Sequence, residues 1–338
     1  METMITVQPW KNTVRALDII KEFKCLGIRK VRVNLKTSYM KGHLDTLFEF
    51  LQRAAMVNED LEWFFDIGLP GDTLRLVIQS ASHYVNVLEG DIIKFYFEGS
   101  KSEEKRVNVF IRKPLNFASL CTLFHQGEKI YYGDGEIEFR ILRVTVNYVE
   151  VVALNEGELW DAKAIYSDDK NIIQYDLLPD LMQYISLMPK QECNAIICSF
   201  TEDPNDIVSI RKKTSMKVIG KIETAHGLNN IDALSKVTNG IMLGRGDLFF
   251  DSINYLHFFQ LQERFLNYIS LNSSTNSILA TGILDSMRSN RVPSRSDITD
   301  LVYLLKYHPK VLCLSSGLFY SSNLKTCVAA INQVTDLL

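Results

Sequence analysis

Apolar and polar positions along the chain follow two periods, one typical of strands and one typical of helices. Short apolar runs alternate with segments whose apolar residues recur at helical spacing, as Val14, Leu17, Ile20 and Phe23 do. Eight of the runs are predicted to be α/β strands: residues 5–9, 30–35, 61–66, 195–200, 218–223, 240–244, 277–281 and 311–314. Eight parallel strands with intervening helices predict a closed (β/α)8 barrel of the TIM type, with its active site at the C-terminal strand ends.

The helical period disappears between residues 74 and 164. The segments there are short, rich in Val, Ile, Phe and Tyr, and separated by Gly-containing turns. This pattern predicts a small inserted antiparallel β-barrel or sandwich. The predicted domains are therefore residues 1–73 and 165–338 for the TIM barrel and 74–164 for an all-β insert. The insert follows the third strand, so we expect it to lie over the barrel mouth as a lid.

Composition narrows the class of protein. The chain has 338 residues, is 46% hydrophobic and 23% charged, and has a net charge of −3. The chain has no excess of basic residues that would favour nucleic acid as a partner, and no apolar run is long enough to span a membrane. The six cysteines are scattered without a CxxC motif, which is typical of reduced thiols in a cytoplasmic protein.

Charged residues lie at the ends of neighbouring predicted strands. Lys221 and Glu223 are two residues apart and can face inward together, and Asp247 follows the next strand. Arg32 and Asn34 alternate with apolar residues on an earlier strand. Two carboxylates and a lysine suit a divalent metal ion that holds an anionic, oxygen-rich substrate. The alternatives are a Lys–Glu pair filling a barrel layer, an unrelated surface Asp, and two exposed polar residues on an edge strand.

Three motifs resemble the pyruvate kinase family. K-I-E-T at 221–224 is followed by G-I-M-L-G-R-G-D-L at 240–248, and A-T-G-I-L-D-S-M at 280–287 is similar to the family's A-T-Q-M-L-E-S-M. The similarity covers about residues 7–317. It implies the catalytic barrel and lid domain, and we expect the family's N-terminal extension and C-terminal regulatory domain to be missing.

The resemblance implies a role for each matching residue. Lys221, Arg32 and Thr281 would act on the transferring phosphoryl group and the enolate, and Glu223 and Asp247 would hold Mg²⁺ or Mn²⁺. The substrate-binding residues it implies are Gly246, Asp247, Ser199 and Arg245. The monovalent-cation site, or its substitute, would comprise Asn34, Lys36 and Asp66. The residues implied on the nucleotide and lid side are Arg75, Asp134, Lys163 and Pro9.

The sequence departs from the family mainly on the nucleotide side. Lys36 replaces a serine that binds potassium in the family, so an ammonium group could substitute for that cation. We therefore hypothesise that activity is independent of potassium. The family's D-T-K-G-P-E has become Asp66-Ile67-Gly68-Leu69-Pro70-Gly71.

Three functions remain open from the sequence. The first is a pyruvate-kinase-like phosphotransferase that acts on phosphoenolpyruvate or pyruvate with a nucleotide, or with another phosphoryl donor or acceptor. The second is a metal-dependent lyase or aldolase that acts through an enolate. The third is a non-catalytic binding protein of the same family. For any of them we expect at most a homodimer formed through a barrel face.

Overall fold

The structure is a computed structural model that describes residues 1–35, 42–68, 74–79, 84–101, 108–112, 120–133, 135–161, 163–167, 195–252 and 254–338. Its strands are β1 Glu2–Val7, β2 Lys30–Asn34, β3 Glu62–Gly68, β4 Leu74–Gln79, β5 Tyr84–Val87, β6 Ile92–Phe97, β7 Asn108–Ile111, β8 Lys129–Tyr132, β9 Ile137–Val144, β10 Tyr148–Ala153, β11 Gly157–Trp160, β12 Ala164–Ser167, β13 Ala195–Ser199, β14 Lys217–Ile222, β15 Gly240–Gly244, β16 Ser277–Ala280 and β17 Val311–Leu314. Its α-helices are α1 Thr13–Leu26, α2 Leu44–Val57, α3 Pro204–Arg211, α4 Ala225–Asn229, α5 Ile231–Val237, α6 Arg245–Asp251, α7 Tyr255–Leu271, α8 Arg295–Leu305, α9 Ser316–Phe319 and α10 Leu324–Leu337.

The chain forms two compact units, Met1–Leu69 with Leu178–Leu338, and Pro70–Leu177. In the first unit eight strands close a parallel barrel in the order β1-β17-β16-β15-β14-β13-β3-β2. This confirms the (β/α)8 barrel predicted from the periodicity. Several strands end one residue earlier than predicted, so Phe200, Glu223 and Thr281 lie just beyond β13, β14 and β16.

Apolar side chains fill the barrel interior below its C-terminal end. Met4, Phe64, Ile197, Ile219 and Met242 belong to one buried cluster contributed by different strands. Such layers make a TIM barrel a packed core rather than a pore. Polar side chains therefore lie above this apolar cluster, where the strands end.

The helices pack their apolar faces on the outside of this barrel. Helix α1 buries Leu17, Ile20 and Phe23, as its period predicts, whereas Val14 in its first turn is exposed, contrary to the prediction. The Asn12 side chain accepts a hydrogen bond from the Arg15 amide at its start, and Gly27, with a φ of 70°, ends it. A left-handed residue at a helix end favours glycine because a Cβ is unfavourable there.

The second unit is built from strands alone apart from a short 3₁₀ turn, within its described residues. Seven strands close a barrel in the order β10-β6-β7-β4-β12-β8-β9, and β11 pairs with β5. Edge-to-face packing of Phe95 and Phe139 lies in its buried core. The inserted β-barrel predicted from the sequence is therefore confirmed, except that β6 and β7 pair in parallel rather than antiparallel. Its place as a lid stays a prediction.

Two further expectations concern the whole chain. Among the residues that the structure describes, no helix has the length and apolar character needed to cross a bilayer. The described cysteines are all free thiols, and Cys193 lies outside the described residues.

Candidate active site

Arg32 and Asp66 pair inside the barrel, near the ends of neighbouring strands β2 and β3. The register places Asn34 beside Asp66. Arg32 Nε donates to Asp66 Oδ2 at 3.0 Å, Nη2 donates to the same oxygen, and Nη1 donates to Thr6 Oγ1 at 3.0 Å. Burial alone would lower the pKa of Arg32, but the charge and hydrogen bonds of Asp66, together with other nearby anionic groups, outweigh burial and raise that pKa above its ordinary value. Arg32 is thus a fixed cation facing the barrel interior.

Lys221 lies between two buried carboxylates. Its Nζ is 2.7 Å from Glu223 Oε1 and 3.6 Å from Asp66 Oδ2. It also donates to Ser199 Oγ at 3.4 Å, and Ser199 in turn donates to Asp66 Oδ1 at 2.7 Å. Burial lowers the pKa of Lys221, but Asp66 and Glu223 together raise it above the ordinary value. An ammonium group is therefore held at the barrel mouth, with its counter-charges on two strands.

Asp66 links the two cations. Burial would raise its pKa, but Lys221 and then Arg32 hold that pKa below the usual range. Both carboxylate oxygens accept hydrogen bonds, Oδ1 from Ser199 and Oδ2 from Arg32. Asp66 therefore anchors Arg32 and Lys221 in place.

Glu223 is fixed from three directions. Its Oε1 contacts Lys221, and its Oε2 accepts a hydrogen bond from the Phe200 amide at 2.9 Å. Phe200 has a φ of 52°, an uncommon conformation for a bulky residue. On the third side lies Gly244, where an added Cβ would come within 2.6 Å of Glu223 Cγ. The Glu223 side chain is 1% exposed and therefore has little room to move.

Glu223 and Asp247 are close enough to share a hydrogen bond. The pKa of Glu223 lies above its ordinary value, because burial and the neighbouring Asp247 carboxylate together outweigh the lowering effect of Lys221. Two crowded carboxylates of this kind fit a divalent cation, which would relieve their repulsion. Among the described residues no group of three or more His, Cys, Asp or Glu side chains could hold a metal ion. A Mg²⁺ ion here would therefore take these two carboxylates and complete its shell with substrate and water.

Thr281 and Gly246 meet at the ends of adjacent strands. Gly244 pairs with Ala280 in the β15–β16 register, so the turns after both strands start side by side. A Cβ added to Gly246 would lie 3.0 Å from Thr281 Cγ2. The Thr281 side chain is therefore placed against the backbone that leads into Asp247.

Arg245 directs its hydrogen bonds away from the other candidate site residues. Its Nη1 and Nη2 form two parallel hydrogen bonds with Asp300 on α8, at 2.9 and 3.0 Å. The sequence assigned Arg245 to substrate binding, but it had no signal for the Asp300 partner.

The residues predicted on the nucleotide and lid side do not assemble within one unit. Arg75 lies in β4 of the second unit, and Lys163 of that unit pairs with Glu136 and lies over the Tyr132 ring. Pro9 belongs to the first unit, where it is buried at the start of a 3₁₀ turn. Asp134, the remaining residue of this set, lies outside the described residues, as does Lys36 of the predicted monovalent-cation site.

Sequence reasoning missed three residues that shape the site: Thr6, Gly244 and Asp300. Thr6 is a buried polar residue on β1 and accepts from Arg32. Its only signal is a hydroxyl between two apolar residues, Ile5 and Val7, of that strand. Gly244 permits the close approach of Glu223, and a glycine ending a buried strand is the signal that could have identified it.

Comparison with known proteins identifies the family to which this site belongs. A sequence model described as "Pyruvate kinase, barrel domain" matches residues 2–305. The chain belongs to the pyruvate kinase family. The resemblance inferred from the RGDL and K-I-E motifs is thereby confirmed.

Individual pyruvate kinases are only distantly similar. The pyruvate kinase of Thermococcus litoralis is 27% identical over 290 residues, which is 84% of this chain and 58% of that protein. Pyruvate kinase 2 of Saccharomyces cerevisiae is 28% identical over 55% of this chain and 38% of its own length. The pyruvate kinase of Pyrobaculum aerophilum is 25% identical over 70% of this chain and 50% of its own length. The chain spans about half the length of the curated relatives it matches.

Proposed function

We propose that this protein is a pyruvate-kinase-like phosphotransferase that uses Mg²⁺ or Mn²⁺ and acts on phosphoenolpyruvate and a nucleoside diphosphate. The observation that best supports the proposal is the convergence of Lys221, Glu223 and Asp247 at the barrel mouth, next to the Arg32–Asp66 pair. A cluster of two fixed cations and two crowded carboxylates is suited to a polyanionic substrate.

The proposed reaction moves one phosphoryl group. The bond between phosphorus and the enol oxygen of phosphoenolpyruvate breaks, and a terminal phosphate oxygen of the diphosphate forms the new bond. The pair of electrons released to the enol oxygen makes an enolate, which takes a proton at its methylene carbon to give pyruvate. A divalent ion held by Glu223 and Asp247 would supply positive charge to the phosphoryl and enolate oxygens.

The protein's own residues would act by position and charge. Lys221 and Arg32 place positive charge where the phosphoryl group and the enolate oxygen become negative, and Asp66 keeps both side chains aligned. Thr281, placed against the backbone that leads into Asp247, would direct a water proton toward the methylene carbon. Asn34 and Asp66 would provide the region where other family members hold a monovalent cation.

The ADP dependence of turnover tests this function. The protein is incubated with Mg²⁺ or Mn²⁺ and phosphoenolpyruvate, with and without ADP, and pyruvate is measured. We expect pyruvate to form only with ADP, together with one ATP for each pyruvate. Pyruvate formation without ADP, or decarboxylation of oxaloacetate, would instead favour the lyase. Binding of phosphoenolpyruvate without any turnover would favour a non-catalytic protein.

A further inference from the structure

The backbone after β16 adopts an unusual conformation at the proposed proton-delivering residue. Thr281, Gly282 and Leu284 have φ angles of 76°, 74° and 53°. Glycine accepts the left-handed region freely, but for the β-branched Thr281 it is a strained conformation. Such strain persists only where the surrounding structure enforces it.

Arg245 lies beside this turn. Its Nη2 is 3.7 Å from the position of a Cβ built on Gly282, an ordinary contact distance. Both terminal nitrogens donate to Asp300, and Nε is buried with no hydrogen-bond partner among the described residues. The side chains of Arg245 and Asp300 are 13% and 28% exposed. A parallel two-bond pair of this kind fixes orientation as well as distance.

The helix that bears Asp300 is itself joined to the segment after Thr281. Ser294 caps α8, and the Asp297 side chain accepts from the Ser294 amide at 3.1 Å. Asp297 also accepts from Ser286 Oγ, and Ser286 Oγ accepts from the Ser294 amide at 3.1 Å. The 281–288 segment therefore borders the Arg245–Asp300 pair at its beginning and is hydrogen-bonded to the α8 cap through Ser286.

We propose that the Arg245–Asp300 pair is a clamp that holds Thr281 in its left-handed conformation against Gly246. Arg245 and Asp300 are then positioning residues for proton delivery, and Arg245 does not bind substrate. The inference rests on the proposed function for its catalytic consequence, but the geometry of the clamp is independent of it.

Two measurements on Asp300→Asn, Arg245→Lys and the double variant test the clamp. The first is steady-state turnover with Mg²⁺, ADP and phosphoenolpyruvate. We expect each single variant to lower kcat by about tenfold or more with little change in the KM of phosphoenolpyruvate, because an error in position affects the reaction rather than binding. We expect the double variant to be no slower than the slower single variant, since both changes remove one interaction.

The second measurement is hydrogen–deuterium exchange, which needs no activity. Peptides covering 281–288 should exchange faster in the clamp variants, whereas peptides covering β17 should not. Matched controls are Arg264→Lys on α7 and Asp18→Asn on α1, which alter polar contacts elsewhere and should change neither readout.

Each outcome has a defined meaning. An increased KM in Arg245→Lys with normal kinetics in Asp300→Asn would overturn the clamp, because it would make Arg245 a substrate ligand. Unchanged kcat and unchanged local exchange in both single variants would also overturn it. A wild-type protein without turnover would refute the proposed function, and local exchange would then decide the clamp alone. If Asp300→Asn does not fold, Asp300→Glu and Arg245→Lys provide the same test with the charges retained.

Discussion

Replacing Gly244 with alanine should disable the site without changing any residue that contacts substrate or metal. The β14–β15 register pairs Ile222 with Leu243, which places Glu223 next to Gly244. A Cβ built on Gly244 would lie 2.6 Å from Glu223 Cγ, 2.8 Å from Oε1 and 3.0 Å from Cδ. The backbone of Gly244, with a φ of −92°, is accessible to alanine. The effect is therefore steric.

The size of the effect follows from these distances. Carbon atoms in contact are about 3.5–4.0 Å apart, so Glu223 must retreat by about 1 Å. Forcing one extra carbon into a packed interior costs about 1–3 kcal/mol of stability. Misplacing a reacting group by about 1 Å can cost about a hundredfold in rate. We expect Gly244→Ala to lower kcat/KM by about that factor and to weaken Mn²⁺ binding.

Gly240 at the other end of β15 provides a matched control. A Cβ there would lie 2.6 Å from the carbonyl oxygen of Asn276, equally close but far along the strand from Glu223. Thermal unfolding should show a loss of stability in both variants, while turnover and Mn²⁺ titration at a temperature where both are folded should separate them. Full activity in Gly244→Ala, or equal loss of activity in Gly240→Ala, would refute the reasoning.

Three further predictions concern the charges of the barrel. Glu223→Gln should abolish metal-dependent turnover but leave the protein folded, as circular dichroism would show; full activity would show that Glu223 does not belong to the active site. Turnover should not require added potassium, because the Asp66 carboxylate already accepts from protein donors and Lys36 replaces a potassium ligand; a sharp rise of activity with potassium would contradict this. Lys30→Met at the opposite barrel end should cost about 1–3 kcal/mol in urea unfolding, since it removes the partner of half-buried Glu62, and Lys30→Met with Glu62→Gln should recover most of that loss; equal stability of the single variant and wild type would contradict the assignment.

The fold was predictable because its signals are local and repeated. Each barrel strand is a short apolar run bounded by turn residues, and each helix such as α1 repeats its apolar positions every three or four residues. The change to alternating β patterns at the insert was equally visible. Strand ends were less certain, since Glu223 and Thr281 continue the pattern by one residue although the ladder has ended.

The composition of the candidate site was predictable where residues follow consecutive strands, as Lys221, Glu223 and Asp247 do. Partners from distant segments were not. Asp300 is a half-buried polar position on a helix whose pattern gives no sign of the Arg245 contact, and a whole helix separates Thr6 from Arg32 along the chain. Side-chain pairing between distant segments produces no periodic pattern in the sequence, so such pairs can be identified only from the three-dimensional structure.

The most direct test of the central claim is a crystal structure grown with Mn²⁺ and a phosphoenolpyruvate analogue, with anomalous scattering measured for the metal. The account predicts a single manganese peak within coordination distance of one oxygen of Glu223 and one of Asp247, with the Lys221 ammonium beside the bound analogue. A manganese peak on other residues, or Glu223 and Asp247 turned into separate layers of the barrel, would contradict it.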